Sequence, residues 1–166
     1  MKKRVLSILV DNTSGVLSRV SGLFSRRGYN IDSLTVGETA DPKYSRMTVV
    51  CSGDELVLEQ ITKQLEKLVD VRHIKVLKPG NRVNRELMLI KIKADAKLRK
   101  EIIQIVDVFR AKIVDIGKES VIVELTGSAN KLEAFIELLE GYDILELART
   151  GMTGLSRGMN DVYYLD

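Results

Sequence analysis

The chain of 166 residues has one cysteine, one histidine, two prolines and no tryptophan. A lone Cys51 excludes an internal disulfide and any cysteine-built zinc site. A lone His73 argues against His-dependent triads and His-rich metal centres. No apolar run approaches the ~18 residues that a membrane span needs. No charge of one sign dominates either. Lys+Arg is 26 against Asp+Glu 23, a net +3 with both signs interspersed, so nothing demands a nucleic-acid partner. The start, Met1-Lys2-Lys3-Arg4-Val5, is basic but lacks the apolar core of a signal peptide. These absences predict a cytoplasmic protein that is neither a self-sufficient hydrolase nor a metalloenzyme. What is present is 45% hydrophobic and 30% charged residues, too apolar a mixture for a disordered chain.

An internal repeat governs the organisation. In the first half, residues 4–10 read as a strand and 11–15 as a turn. Val16, Leu17, Val20, Leu23 and Phe24 recur at helical spacing, and Gly28 ends that helix. Strands are predicted over 31–38 and 46–51. A second helix carries Leu58, Ile61, Leu65 and Leu68, and a strand follows over 71–77. Pro79-Gly80-Asn81 then breaks the pattern. The second half repeats the order. It has a strand over 86–93, a helix with Leu98, Ile102, Ile105, Val106 and Phe109, and strands over 112–116 and 121–126. A helix capped by Ser128 and a closing strand over 142–147 complete it. The expectation is an α+β chain of two ferredoxin-like βαββαβ sandwiches in tandem. The expected division is residues 1–78, a linker over 79–85, and 86–166. Such small sandwiches bury a limited share of their surface, so the helix-free sheet faces and edge strands are expected to serve a partner, with a dimer or larger assembly as the result.

The two halves differ at the turn between first strand and first helix. The first reads Asp11-Asn12-Thr13-Ser14-Gly15-Val16-Leu17; the second reads Ala94-Asp95-Ala96-Lys97-Leu98-Arg99. The first combines a glycine, amide and hydroxyl side chains with the N–H groups of a helix N-terminus, a setting that attracts a carboxylate. Gly15 lets a ligand approach the backbone. The second has no glycine and carries bulk and positive charge. Asn12, Thr13 and Ser14 are equally suited to plain helix capping. A second amide, Asn30, stands at the start of the neighbouring strand beside Ile31, with Val36 as apolar wall. An amide can donate to a carboxylate and accept from an ammonium, which suits an amino acid with a small aliphatic side chain. Asn30 serves equally to satisfy the turn after Gly28.

The stretches 11–17, 22–36 and 45–48, with Val69-Asp70-Val71, residues 85–91, Ala148-Arg149-Thr150-Gly151 and Gly154-Leu155-Ser156-Arg157-Gly158, resemble the regulatory (small) subunit family of acetolactate synthase over essentially the whole chain. The Arg27-Gly28-Tyr29-Asn30-Ile31 run is the more specific signature, since the Asn-x-x-Gly-Val-Leu turn is shared by many ACT domains. The resemblance implies an N-terminal ACT domain, a C-terminal ferredoxin-like domain and no catalysis by this chain. It implies a separate catalytic subunit holding thiamine diphosphate, FAD and magnesium, with no cofactor bound by this chain. That enzyme condenses pyruvate with pyruvate or 2-oxobutyrate in valine, leucine and isoleucine biosynthesis. The small subunit raises its activity and confers feedback inhibition, usually by valine. Carried over by position, Asn12, Thr13, Ser14, Gly15, Val16 and Leu17 of one chain and Asn30 and Ile31 of another would contact the effector in a homodimer. Gly37 and Gln60 align with positions that influence effector sensitivity.

Three other readings compete. One is a stand-alone amino-acid-sensing ACT protein. Another is an RNA-binding module of the same topology, but residues 6–8 and 46–51 carry no aromatic for base stacking. The third is an acylphosphatase-like enzyme, with Arg19, Arg26, Arg27 and Asn30 clamping a phosphate; against it, these basic residues read as solvated helix surface.

Overall fold

The computed structural model describes residues 1–159, 162 and 163. The described chain divides into two compact units. One is Met1–Val83 together with the described residues from Met152 on, and the other is Asn84–Gly151.

In the first unit the elements are β1 (Lys2–Asp11), α1 (Val16–Arg26), β2 (Asn30–Glu38), β3 (Tyr44–Gly53), α2 (Glu55–Glu66) and β4 (Val71–Val76). They form an antiparallel sheet in the order β2-β3-β1-β4. β1 pairs with β3 without interruption from Lys2 opposite Gly53 to Asp11 opposite Tyr44. This is the split βαβ arrangement, in which each helix carries the chain past one strand. α1 buries Val16, Val20, Leu23 and Phe24, and α2 buries Leu58, Ile61 and Leu65. These side chains meet Leu6, Ile8 and Val10 of β1 and Met47, Val49 and Cys51 of β3. Each fully buried aliphatic side chain contributes about 1.5–3 kcal/mol. Burial also pushes the Cys51 thiol up to about 11, which keeps it inert as an apolar core residue.

The second unit repeats the plan with β5 (Arg82–Lys93), α3 (Ala96–Val108), β6 (Lys112–Ile116), β7 (Ser120–Gly127), α4 (Ala129–Leu138) and β8 (Ile144–Arg149). The first two residues of β5 fall on the first-unit side of the division. Its sheet order, β6-β7-β5-β8, is the same permutation. Met88, Ile90 and Ile92 of β5 and Val121, Val123 and Leu125 of β7 face α3 and α4. Phe109 and Phe135 meet edge to face at 5.3 Å between ring centres.

Several strands run a residue or two beyond their expected ends, and three boundaries change in ways that matter. β5 begins at Arg82, inside the expected linker, because the polar alternation of Arg82-Val83-Asn84-Arg85 hides a strand. The closing strand of the second unit is Ile144–Arg149, since Gly141 turns at φ +92° and Tyr142 packs against the core. Residues from Met152 on, assigned from the sequence to 86–166, cluster with the first unit, and Thr153–Ser156 forms a further strand, β9, that pairs with β5.

That return corrects the expectation of an open sheet face in the first unit. Thr35 Oγ1 donates to the Met152 carbonyl (3.2 Å), Gly154 N–H donates to Thr48 Oγ1 (3.4 Å), and Lys75 Nζ donates to Ser156 Oγ (3.0 Å). Met152 packs on Val5, Val50 and Leu77. β1 is accordingly buried on both faces, from Val5 through Val10 without a break. β5 instead alternates, with Met88, Ile90 and Ile92 buried but Leu89 exposed.

Candidate effector site

α1 starts differently from the other three helices. Asp54 accepts from Val57 N–H at α2, Asp95 from Leu98 N–H at α3, and Ser128 from Lys131 N–H at α4. At α1 the N-cap residue is Gly15 in the left-handed conformation, φ +84°, and no side chain caps it. Only glycine adopts this conformation without strain. Capping is therefore not the role of Asn12, Thr13 or Ser14. Thr13 and Ser14 are exposed. The Asn12 amide instead donates to Glu38 Oε2 (3.2 Å) and to the Pro42 carbonyl (2.9 Å), fastening the loop between β2 and β3. Val16 is turned into the core, and Leu17 is exposed beside the turn.

The electrostatics of the turn favour an anion. Arg19, in the first turns of α1, grips Asp70 through Nε (2.5 Å) and Nη2 (3.0 Å). This paired hydrogen bond draws the Asp70 carboxyl below the ordinary aspartate range. Arg19 Nη1 lies 2.9 Å from where a Cβ on Gly15 would sit, so a guanidinium borders the bare backbone. Asp11, the nearest acid in sequence, is matched by Arg72 at 2.7 and 3.0 Å. Asp70 and Asp11 are thus each paired with an arginine, Glu38 is held by the Asn12 amide, and the positive end of the α1 dipole stands beside Arg19. Sequence reasoning assigned Arg19 to solvated surface; its partner lies 51 positions away, beyond the reach of any local pattern.

Asn30 and Ile31 lie elsewhere. Asn30 pairs with Ser52 across β2 and β3, while Asn12 follows Asp11, which pairs with Tyr44. The two asparagines thus mark opposite ends of β3, eight residues or roughly 26 Å apart along the strand. One chain does not bring the two halves of the expected site together. The Asn30 amide donates to Asp32 Oδ1 (2.7 Å), and Asp32 Oδ2 accepts from Ser52 Oγ. Ile31 is half-buried against the core. Gly37 sits at the Asn12 end, opposite Arg46, with open space where a side chain would be. Gln60 sits at the Asn30 end, where its Oε1 accepts from Tyr29 O–H at 3.4 Å.

The same geometry separates the residues of the acylphosphatase-like reading. Arg19 stands at the start of α1, and Arg26, Arg27 and Asn30 follow at or beyond its end, about 10 Å along the axis. The RNA-binding reading fares no better. The helix-free face presents Val5, Ser7 and Leu9 opposite Val50, Thr48 and Arg46, and residues 152–156 cover part of it.

Comparison with known proteins settles the family. The model of the "AHAS small subunit-like ACT domain" matches residues 6–73, and that of the "small subunit of acetolactate synthase" matches residues 85–158. The acetolactate synthase small subunit of Mycolicibacterium smegmatis is 53% identical over 153 residues, 92% of this chain and 90% of the relative. The chain belongs to the acetolactate synthase small-subunit family. The isozyme 3 small subunit of Escherichia coli is 51% identical over 157 residues, 94% of this chain and 96% of that one. A crystal structure of the acetolactate synthase small subunit from Thermotoga maritima superposes with a TM-score of 0.89 at 43% identity, covering 96% of this chain and 99% of that one. The expected recognition, the tandem ferredoxin-like fold and the role of a regulatory small subunit, not a catalytic chain, agree with these relatives. No helix among the described residues is long and apolar enough to cross a membrane.

Proposed function

We propose that the chain forms a homodimer that binds valine at the seam between two ACT domains and confers feedback inhibition on the catalytic subunit of acetolactate synthase, which it also activates. Leucine and isoleucine share the zwitterion and are the natural competitors. In this reading the effector carboxylate lies on the uncapped start of α1, over Gly15 and beside Arg19. Its ammonium reaches the amide of Asn30 of the partner subunit, with Ile31 of the partner subunit as apolar wall.

The observation that carries the reading is the separation of Asn12 and Gly15 from Asn30 and Ile31 at opposite ends of one sheet. Each chain offers two half-sites, and a two-fold axis that brings unlike ends together completes both at once. Thiamine diphosphate, FAD and magnesium are assigned to the catalytic subunit. Among the described residues no group of three or more His, Cys, Asp or Glu has the form of a metal site. Effector binding then acts by linkage: valine favours one arrangement of the assembly only by its affinity difference between arrangements, a coupling of about 1–3 kcal/mol. Calorimetric titration of the purified protein with each branched-chain amino acid tests the reading. Saturable binding, with valine among the ligands, is expected; no heat with any of the three would overturn it.

A further inference from the structure

Residues 152–157 bond to three of the four strands of the first unit's sheet. Thr35 holds them from β2, Thr48 from β3 and Lys75 from β4. Arg157 N–H adds a bond to the Asn81 carbonyl at 3.0 Å, and the Tyr163 ring stacks on His73 of β4 with centres 4.7 Å apart. A segment bonded to β2, β3 and β4, and paired with β5 through β9, registers any shift of one of these strands against the others. The strand that matters is β2. It begins with Asn30 and Ile31, and Thr35, five residues on from Asn30, donates directly to the backbone of Met152.

Met152 is also the residue bonded covalently to Gly151, the last of the second unit. The second unit is therefore tied to the first at both ends of its chain, once through Val83–Asn84 and once through Gly151–Met152. A single flexible linker absorbs a ligand-linked shift. A second connection clamped to β2 leaves less slack. Coupling between distant sites needs such a physical element, whose position both sites bias.

We propose that residues 152–157 form a strap that conveys effector occupancy from β2 to the second unit, so that loosening it separates valine binding from valine inhibition. This rests on the effector site argued above. It assigns a role to a segment that takes no part in that site.

The test uses the full chain reconstituted with the catalytic subunit. Thr35→Val/Thr48→Val removes both hydroxyls that hold the strap and nearly preserves side-chain shape. Calorimetric valine binding is expected to stay within about threefold of the parent, activation without valine to be unchanged, and the valine concentration for half-inhibition to rise about tenfold or more. Parental inhibition with parental binding overturns the proposal. Amide exchange on the ligand-free protein provides an independent arm. Exchange over 152–157 is expected to rise about tenfold, with α3 and α4 unaltered; unaltered exchange over 152–157 also overturns it. If neither parent nor variant binds valine, the effector reading fails and takes the coupling with it, while the exchange result still shows whether the threonines hold the strap. Should the double variant not fold, Met152→Ala, which loosens the same segment from Val5, Val50 and Leu77, is expected to give the same split between binding and inhibition; inhibition kept in that variant overturns the proposal.

Discussion

The two units share one plan and differ in two places, and both differences fall where function is argued. Among the described residues three of the four helices begin on a side-chain cap, whereas α1 begins on Gly15 with none. β1 is buried on both faces, while β5 is buried on one. A duplicated fold thus supplies its own control. Whatever the second unit does with the same elements is what the fold needs, and what the first unit does otherwise calls for a separate cause. For β1 that cause is the returning segment at Met152; for α1 the proposed effector would supply it.

The most drastic way to break the comparison is to charge the two helix-free faces in turn. Val50 is 6% exposed and Leu89 is 39% exposed. Val50→Asp buries a carboxylate with no partner and is expected to cost about 4 kcal/mol. Leu89→Asp is expected to cost about 1 kcal/mol or less. Thermal unfolding of both variants checks this, and equal losses would mean that the strap does not seal the first face.

The turn provides the next test. Gly15→Asp forces a side chain onto a φ of +84°, 2.9 Å from the Arg19 guanidinium. It also places a carboxylate where the proposed site would hold that of the effector. Valine affinity is expected to fall about tenfold or more, or about 1.4 kcal/mol, by calorimetry, with activation of the catalytic subunit retained.

Caps sharpen the contrast at smaller scale. Asp54→Ala and Asp95→Ala are each expected to cost about 1 kcal/mol of stability in denaturant titrations. Thr13→Ala and Ser14→Ala are expected to cost less than about 0.3 kcal/mol, because neither residue caps α1.

The smallest effect concerns pH. The Arg19 hydrogen bonds lower the folded-state pKa of Asp70. A depressed carboxyl adds stability above its unfolded value, about 3.9, and that stability is lost as pH falls through the lower folded value. Asp70→Asn should flatten the melting temperature against pH below about 4 relative to the parent, and an unchanged profile would remove this pair from the account.

Much of the plan is legible in the residues. Helical spacing of Val16, Val20, Leu23 and Phe24, and again of Leu132, Phe135 and Leu139, marks the faces that pack on the sheets. The strap escapes, because Met152-Thr153-Gly154-Leu155-Ser156 is short and offers no period. Nor do the strands betray it: the runs 5–10 and 87–92 each hold a single polar residue, Ser7 and Lys91, yet only β1 is covered on both faces. At the turn, amide and hydroxyl residues serve capping and ligand binding equally well, so their types leave the choice open; only the φ of Gly15 and the destinations of the Asn12 amide exclude the cap. The split of the site follows from connectivity. A turn before a helix and a turn after it must lie at opposite ends of the sheet, as Asn12 and Asn30 do.

That split is tested most directly by mixing two defective chains. Gly15→Asp spoils one half-site and Asn30→Asp the other, so each homodimer should bind valine about tenfold or more weaker than the parent and stay silent at concentrations that just saturate the parent. Co-expressed in equal amounts, the two variants form mixed dimers in which one seam joins two intact halves, and binding to about a quarter of all sites should return. A mixture as silent as its components, from a parent that binds valine, would contradict a site shared between chains.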